Sequence, residues 1–239
     1  MSGVLVRSEV EPAPPVSGPM QPMPLSLRGV SKAWDKGRVP VLDRVELDID
    51  VGDRVRIAGR NGVGKTTLMR IAAGLIDPDR GRATVWGTSA AERPEHYQRL
   101  VSFLPAGDRG LYARLSVRRQ LDFWARIAMV PRGEVSARVE EAIEIFNLGE
   151  LADRRVDRMS MGQRQRLRIA MTFMPHPDVV LLDEPLTSLD GEGAQILYAA
   201  IERLLDKGGA LLWCSPAGER LDYGFDRTYM LDEGRLVAA

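Results

Sequence analysis

The chain has 239 residues, of which 44% are hydrophobic and 28% charged, which suits one globular domain or one domain with a lobe inserted. Lys plus Arg (33) balances Asp plus Glu (33), so no global field favours nucleic acid, and no nucleic-acid partner is expected. The single cysteine, Cys214, excludes an intramolecular disulfide, and no apolar run reaches the ~18 residues of a membrane span. A reducing, cytoplasmic setting is expected, with any membrane-spanning part supplied by a partner. Six of the fifteen prolines lie between Pro12 and Pro24, so residues 1–24 are expected to be a disordered tail. Leu25 to Val30 and Leu42 to Ile49 alternate apolar and polar residues as strands do. Val55 to Ala58 is a short apolar strand running into glycines, and Thr66 to Ala73 is a helix with Gly74 as its C-terminal cap. Ala83 to Trp86 is a further strand. Ser116 to Met129 and Glu134 to Phe146 have helical spacing, broken by Pro131 and Gly133. A helix runs from Arg164 to about Met174, followed by the wholly apolar strand Val179 to Leu182. Ala194 to Leu205 is helix, and Ala210 to Cys214 and Arg227 to Leu231 are strands. This order describes an α/β sandwich with a helical insert, and no motif occurs twice.

Gly59-Arg60-Asn61-Gly62-Val63-Gly64-Lys65-Thr66 fits a phosphate-binding P-loop between a strand and a helix. Its glycines permit backbone angles closed to other residues, so successive N–H groups can converge on phosphate oxygens. The following helix adds its positive end. Lys65 would contact the β- and γ-phosphates, and the Thr66 hydroxyl would ligate Mg²⁺, with Thr67 beside it. The chain has only four lysines, and one of them stands here. Val179 to Leu182 delivers Asp183 and Glu184 at its end. Asp183 would hold Mg²⁺ through water, and Glu184 would orient and deprotonate an attacking water. The bland alternatives are a glycine-rich turn and a polar turn after a strand. Their joint occurrence in one chain favours the nucleotide site.

Met159-Ser160-Met161-Gly162-Gln163 resembles the signature motif of the ABC ATPases, usually Leu-Ser-Gly-Gly-Gln, and lies just upstream of the Asp-Glu strand as in that family. Ser160, Gly162 and Gln163 match, while Met159 and Met161 depart. A serine cap on a basic helix is the simpler account of the same residues. Ser188-Leu189-Asp190 resembles the loop that couples the two sites of an ABC dimer. Trp34 stands where the family places an aromatic that stacks on adenine; a core tryptophan is the alternative. The resemblance spans roughly Leu25 to Val237. It implies a P-loop NTPase with a RecA-like core, an antiparallel β subdomain and a helical subdomain at about residues 107–165, within one ATP-binding domain of residues 25–239. It further implies ATP and Mg²⁺ as cofactors, with Gly59, Asn61, Gly62, Gly64, Lys65, Thr66 and Thr67 on the nucleotide. Ser160, Gly162 and Gln163 of a second subunit would close the site. The partners implied are a separate transmembrane permease subunit and either an identical or a paralogous ATPase subunit. The protein would then sit on the inner face of the cell membrane.

Two family residues are missing. The glutamine expected after Val101-Ser102-Phe103-Leu104-Pro105 is Ala106, and the switch histidine ten residues before Asp226-Arg227 is Pro216. The two histidines, His96 and His176, lie in segments that look like surface. Asp108 and Arg109 are candidate substitutes for the lost groups. Gly107 to Leu115 resembles the corresponding loop of some exporters of drugs and surface polysaccharides, which implies export. Two other readings stay open: a non-transport ABC protein, and an ATP-binding regulatory subunit with little hydrolysis of its own.

Overall fold

The structure, a computed structural model, describes residues 23–35 and 37–239. The expected tail, apart from Met23 and Pro24, lies outside the described residues. The elements are β1 (Leu25–Trp34), β2 (Val39–Ile49), β3 (Arg54–Gly59), α1 (Lys65–Ala72), β4 (Arg80–Val85), β5 (Thr88–Ser89), α2 (Pro94–Leu100), β6 (Val101–Leu104), α3 (Val117–Ile127), α4 (Val135–Ile145), α5 (Met161–Phe173), β7 (Val179–Asp183), α6 (Gly191–Asp206), β8 (Ala210–Pro216), β9 (Arg227–Asp232) and β10 (Arg235–Ala238).

The strands divide into two sheets. The first is antiparallel, in the order β2-β1-β4-β5. The second has the order β10-β9-β3-β8-β7-β6 and is parallel except for β10 at its edge. The apolar run of β7 has a direct cause here. Successive strand residues face opposite sides, and both sides of this sheet are covered. Val179 and Leu181 join a core with β1, β2 and α1, whereas Val180 and Leu182 join a core with α3, α4, α5 and α6. β8 repeats the pattern, with Leu212 and Cys214 in the first core and Leu211 and Trp213 in the second. Cys214 is fully buried, as a small core residue.

The expected strands and helices are present, with shifted ends. α5 begins at Met161 and not at Arg164, because Ser160 and Gln163 form a reciprocal capping box that starts the helix earlier. α6 begins at Gly191, capped by Asp190, whose carboxylate accepts from the Gly193 N–H at 2.8 Å. Four short elements are additional to those expected: β5, α2, β6 and β10. Two to seven residues hold too few periods to declare themselves in sequence. Residues 107–165 hold α3, α4 and the start of α5, and their apolar faces close the second core.

Candidate nucleotide site

β3 ends at Gly59 and α1 starts at Lys65, so the glycine-rich segment is the turn between a buried strand and a helix. Gly62 (φ 79°) and Gly64 (φ 116°) are both left-handed. Gly64 is doubly constrained, since a Cβ there would lie 2.7 Å from Val41 Cγ1. Lys65 is 5% exposed, and its Nζ donates to the carbonyls of Gly59 (2.7 Å) and Arg60 (3.1 Å). Asn61 is exposed and Thr67 half-buried on the same segment.

Thr66 Oγ1 donates to Asp183 Oδ2 at 2.8 Å, which ties the start of α1 to the end of β7. Asp183 is 2% exposed. Burial pushes its carboxyl pKa up; the Thr66 hydroxyl, the Lys65 and Arg70 charges and the Ala106 N–H oppose that shift. The next residue, Glu184, is left-handed (φ 51°), and its N–H donates to the Cys214 carbonyl at 3.0 Å. That turn takes the chain out of the sheet and leaves Glu184 partly exposed beside the buried Asp183. An ammonium, a hydroxyl and two acids thus meet at the carboxyl ends of parallel strands, where open α/β sheets bind their ligands. Among the described residues no cluster of three or more His, Cys, Asp or Glu side chains could hold a metal alone. Thr66 and Asp183 do offer two adjacent hard oxygens, which fits Mg²⁺ held chiefly by phosphate and water.

Ser160, Gly162 and Gln163 form the first turn of α5. Ser160 Oγ accepts from the Gln163 N–H (3.2 Å), and Gln163 Oε1 accepts from the Ser160 N–H (3.0 Å). A Cβ at Gly162 would lie 2.9 Å from the Ser188 carbonyl, so the turn is backed against the Ser188-Leu189-Asp190 segment. Ser160 and Met161 are exposed, and no described hydrogen bond links this turn to Lys65 or Thr66. Trp34 is 42% exposed at the end of β1, with Lys32 Nζ 5.3 Å from its ring centroid. A core role does not fit it.

The two missing side chains leave backbone in their place. Ala106 is exposed, and its N–H is among the groups that oppose the burial shift of Asp183. Pro216 pairs in register with Gly59, and the next N–H, of Ala217, donates to the Gly59 carbonyl at 3.1 Å. Asp108 does not replace a lost group: its carboxylate accepts from Arg164 Nε at 3.1 Å, which holds it against α5. Arg109 offers its carbonyl to Arg168. His96 is exposed and His176 pairs with Glu141 at 3.0 Å, so both are surface residues. Sequence reasoning missed Gln165 and Arg168, which are 6% and 3% exposed in the middle of α5. α5 carries Gln163, Arg164, Gln165, Arg166 and Arg168 close together, so nothing in the sequence singled these two out.

Comparison with known proteins gives the family of the chain. The ABC transporter family profile matches residues 42–187. The chain is 33% identical over 193 residues to the ABC transporter ATP-binding protein NatA of Bacillus subtilis, covering 81% of this chain and 78% of that protein. It is 30% identical over 219 residues to the Nod factor export ATP-binding protein I of Burkholderia thailandensis, covering 92% and 71%. A solved structure of the ATP binding subunit of an ABC transporter superposes with a TM-score of 0.81 at 25% identity, covering 90% of this chain and 89% of that one. These likenesses place the chain in the ABC transporter family, as an ATP-binding subunit of a transporter.

Proposed function

We propose that this subunit binds Mg-ATP between two ATPase chains and uses closure and slow hydrolysis to drive substrate export through a separate membrane subunit. The observation that carries this reading is a division of labour. Lys65, Thr66, Asp183 and Glu184 converge at one set of strand ends, while the Ser160 turn is exposed and holds no hydrogen bond to them. A triphosphate on the first group needs donors on its far side. The first turn of α5 offers a helix N-terminus suited to the γ-phosphate of a neighbouring chain. Gly59, Asn61, Gly62, Gly64 and Thr67 cradle the phosphates, and Trp34 stacks on the base. Mg²⁺, when bound by Thr66 and Asp183, offsets phosphate charge. Glu184 accepts the proton of the attacking water.

Ala106 and Pro216 supply no side-chain donor. Each lost donor of this kind costs ~10²–10³ in rate, so turnover is expected to be slow. Export is supported by the likeness of the 107–115 loop to exporter loops and by the exporter relative. The membrane partner would dock on the exposed apolar surface beside that loop. Tyr112 (54% exposed) meets Phe123 (36%) edge to face at 5.0 Å, and Ile127 (51%) follows one turn along α3. No helix among the described residues is long and apolar enough to cross a membrane. The subunit would therefore act at the cytoplasmic face of the membrane, held there by its partner.

Steady-state hydrolysis tests the reading. Wild-type protein is expected to turn over ATP weakly, and Lys65→Ala and Glu184→Gln are each expected to abolish that turnover. The missing side chains at Ala106 and Pro216 favour one competitor, an ATP-binding regulator. Wild-type turnover equal to that of Glu184→Gln, with nucleotide binding intact, would establish the competitor instead.

A further inference from the structure

Arg168 is a buried cation without a carboxylate partner among the described residues. Its Nε donates to the Arg109 carbonyl at 3.1 Å, its Nη1 to the Gly107 carbonyl and to Gln165 Oε1 (2.6 Å), and its Nη2 to the Pro105 carbonyl. The guanidinium therefore spans the loop after β6, gripping carbonyls at alternate positions. Asp108, the acid that acts on its charge, is engaged by Arg164. Burial pushes the Arg168 pKa down, and Asp108 opposes it. A buried charge is costly unless hydrogen-bonded, and four acceptors surround the five N–H donors of this guanidinium.

Gln165 continues the chain of contacts. Its Nε2 donates to the Pro185 carbonyl at 2.7 Å, one residue beyond Glu184. On the other side, the gripped loop leaves β6 one residue past Leu104, which pairs in register with Leu182, the residue before Asp183. Arg168 and Gln165 thus tie the 105–109 loop to Pro185, the residue after Glu184. The two acids of the nucleotide site are thereby flanked by segments held to α5. Ser160 heads the same helix a little over two turns away, roughly 12 Å along its axis.

We propose that Arg168, acting through Gln165 and the 105–109 loop, is the positioning residue that sets Asp183 and Glu184 for metal-dependent chemistry, in place of a side chain at Ala106. The inference rests on the ATP-binding reading of the same site. It makes α5 a rigid lever, since a displacement of its Ser160 end on a partner's nucleotide reaches Asp183 and Glu184 through two side chains. Lys65 and Gly64 of the phosphate cradle lie outside these contacts, held by β2, β3 and α1, and Thr66 alone joins them, through Asp183.

The test uses Arg168→Lys, which keeps the charge but not the fork, and Gln165→Leu, which cuts the link to Pro185. Affinity for a trinitrophenyl-ATP probe is measured with and without Mg²⁺, alongside kcat, KM and thermal melting. Metal-free probe affinity is expected to stay within about twofold of wild type, and the Mg²⁺ concentration for half-maximal tightening to rise about fivefold or more. The kcat is expected to fall about tenfold or more with KM little changed, as for misplaced catalytic groups. Unchanged Mg²⁺ dependence and kcat in both variants would overturn the proposal. Metal-free affinity falling in step with thermal stability would also overturn it, since a merely structural role predicts that. If wild-type turnover proves undetectable, the hydrolytic reading fails, but the Mg²⁺ titration still decides this one. Should Arg168→Lys not fold, Gln165→Leu, an uncharged change of similar size, carries the same measurements.

Discussion

Asp183 is 2% exposed, and a buried carboxylate comes at a cost in stability. Burial raises its pKa in the folded chain above the ordinary carboxylate range. The folded state therefore holds the proton to higher pH than the unfolded state does. Stability from this group is present below the ordinary carboxylate pKa and is lost as pH rises through the raised value. At neutral pH the ionised, buried carboxylate opposes folding. Asp183→Asn keeps an acceptor for the Thr66 hydroxyl and removes the charge. It is expected to raise the melting temperature at neutral pH and to leave it unchanged near pH 3, while abolishing Mg²⁺-dependent tightening of ATP. Calorimetry at the two pH values checks the sign. Lys65, Thr66, Asp183 and Glu184 were legible in the sequence because each sits at a fixed offset from glycines or from an apolar strand. Gln165 and Arg168 were not. Their partners are main-chain carbonyls at Pro105, Gly107, Arg109 and Pro185, and only the tertiary fold brings those together.

At the scale of one element, α5 does two things with one end. Its Ser160–Gln163 capping box satisfies N–H groups that a helix terminus leaves open, and the same turn is presented to solvent. Ser160→Ala is expected to destabilise the subunit by about 1 kcal/mol in urea unfolding, the usual loss for a cap. Ser160→Asp keeps a capping oxygen, so stability is expected to stay near wild type. The added negative charge would nonetheless repel a partner's γ-phosphate. The pair separates the helix-cap role of Ser160 from its proposed role toward nucleotide. The legibility of elements follows their packing. β7 could be read because both of its faces are covered, and α3 and α4 because a repeating apolar stripe faces one core. β6, with four residues at the sheet edge, carries too little pattern, although the loop that Arg168 grips begins at its end.

The whole molecule places the site on the seam between two cores. α1, bearing Lys65 and Thr66, packs in one, and α5, bearing Ser160 and Arg168, packs in the other; β7 feeds both. The cradle and the Ser160 turn therefore belong to different halves of the chain, and the proposed function needs them to meet across two chains. A symmetric pair would hold two sites, each taking Lys65 from one chain and Ser160 from the other. This arrangement has a specific consequence. Lys65→Ala and Ser160→Asp homodimers each have both sites damaged. A mixed dimer concentrates both lesions in one site and leaves the other intact. An equal mixture is expected to recover about a quarter of wild-type turnover, since half of the dimers are mixed and each has one of two sites. Sites completed within a single chain would show no recovery on mixing. Glu184→Gln gives an independent check by light scattering, where Mg-ATP is expected to double the mass. A chain that pairs only with a paralogue would remain a monomer until that paralogue is added.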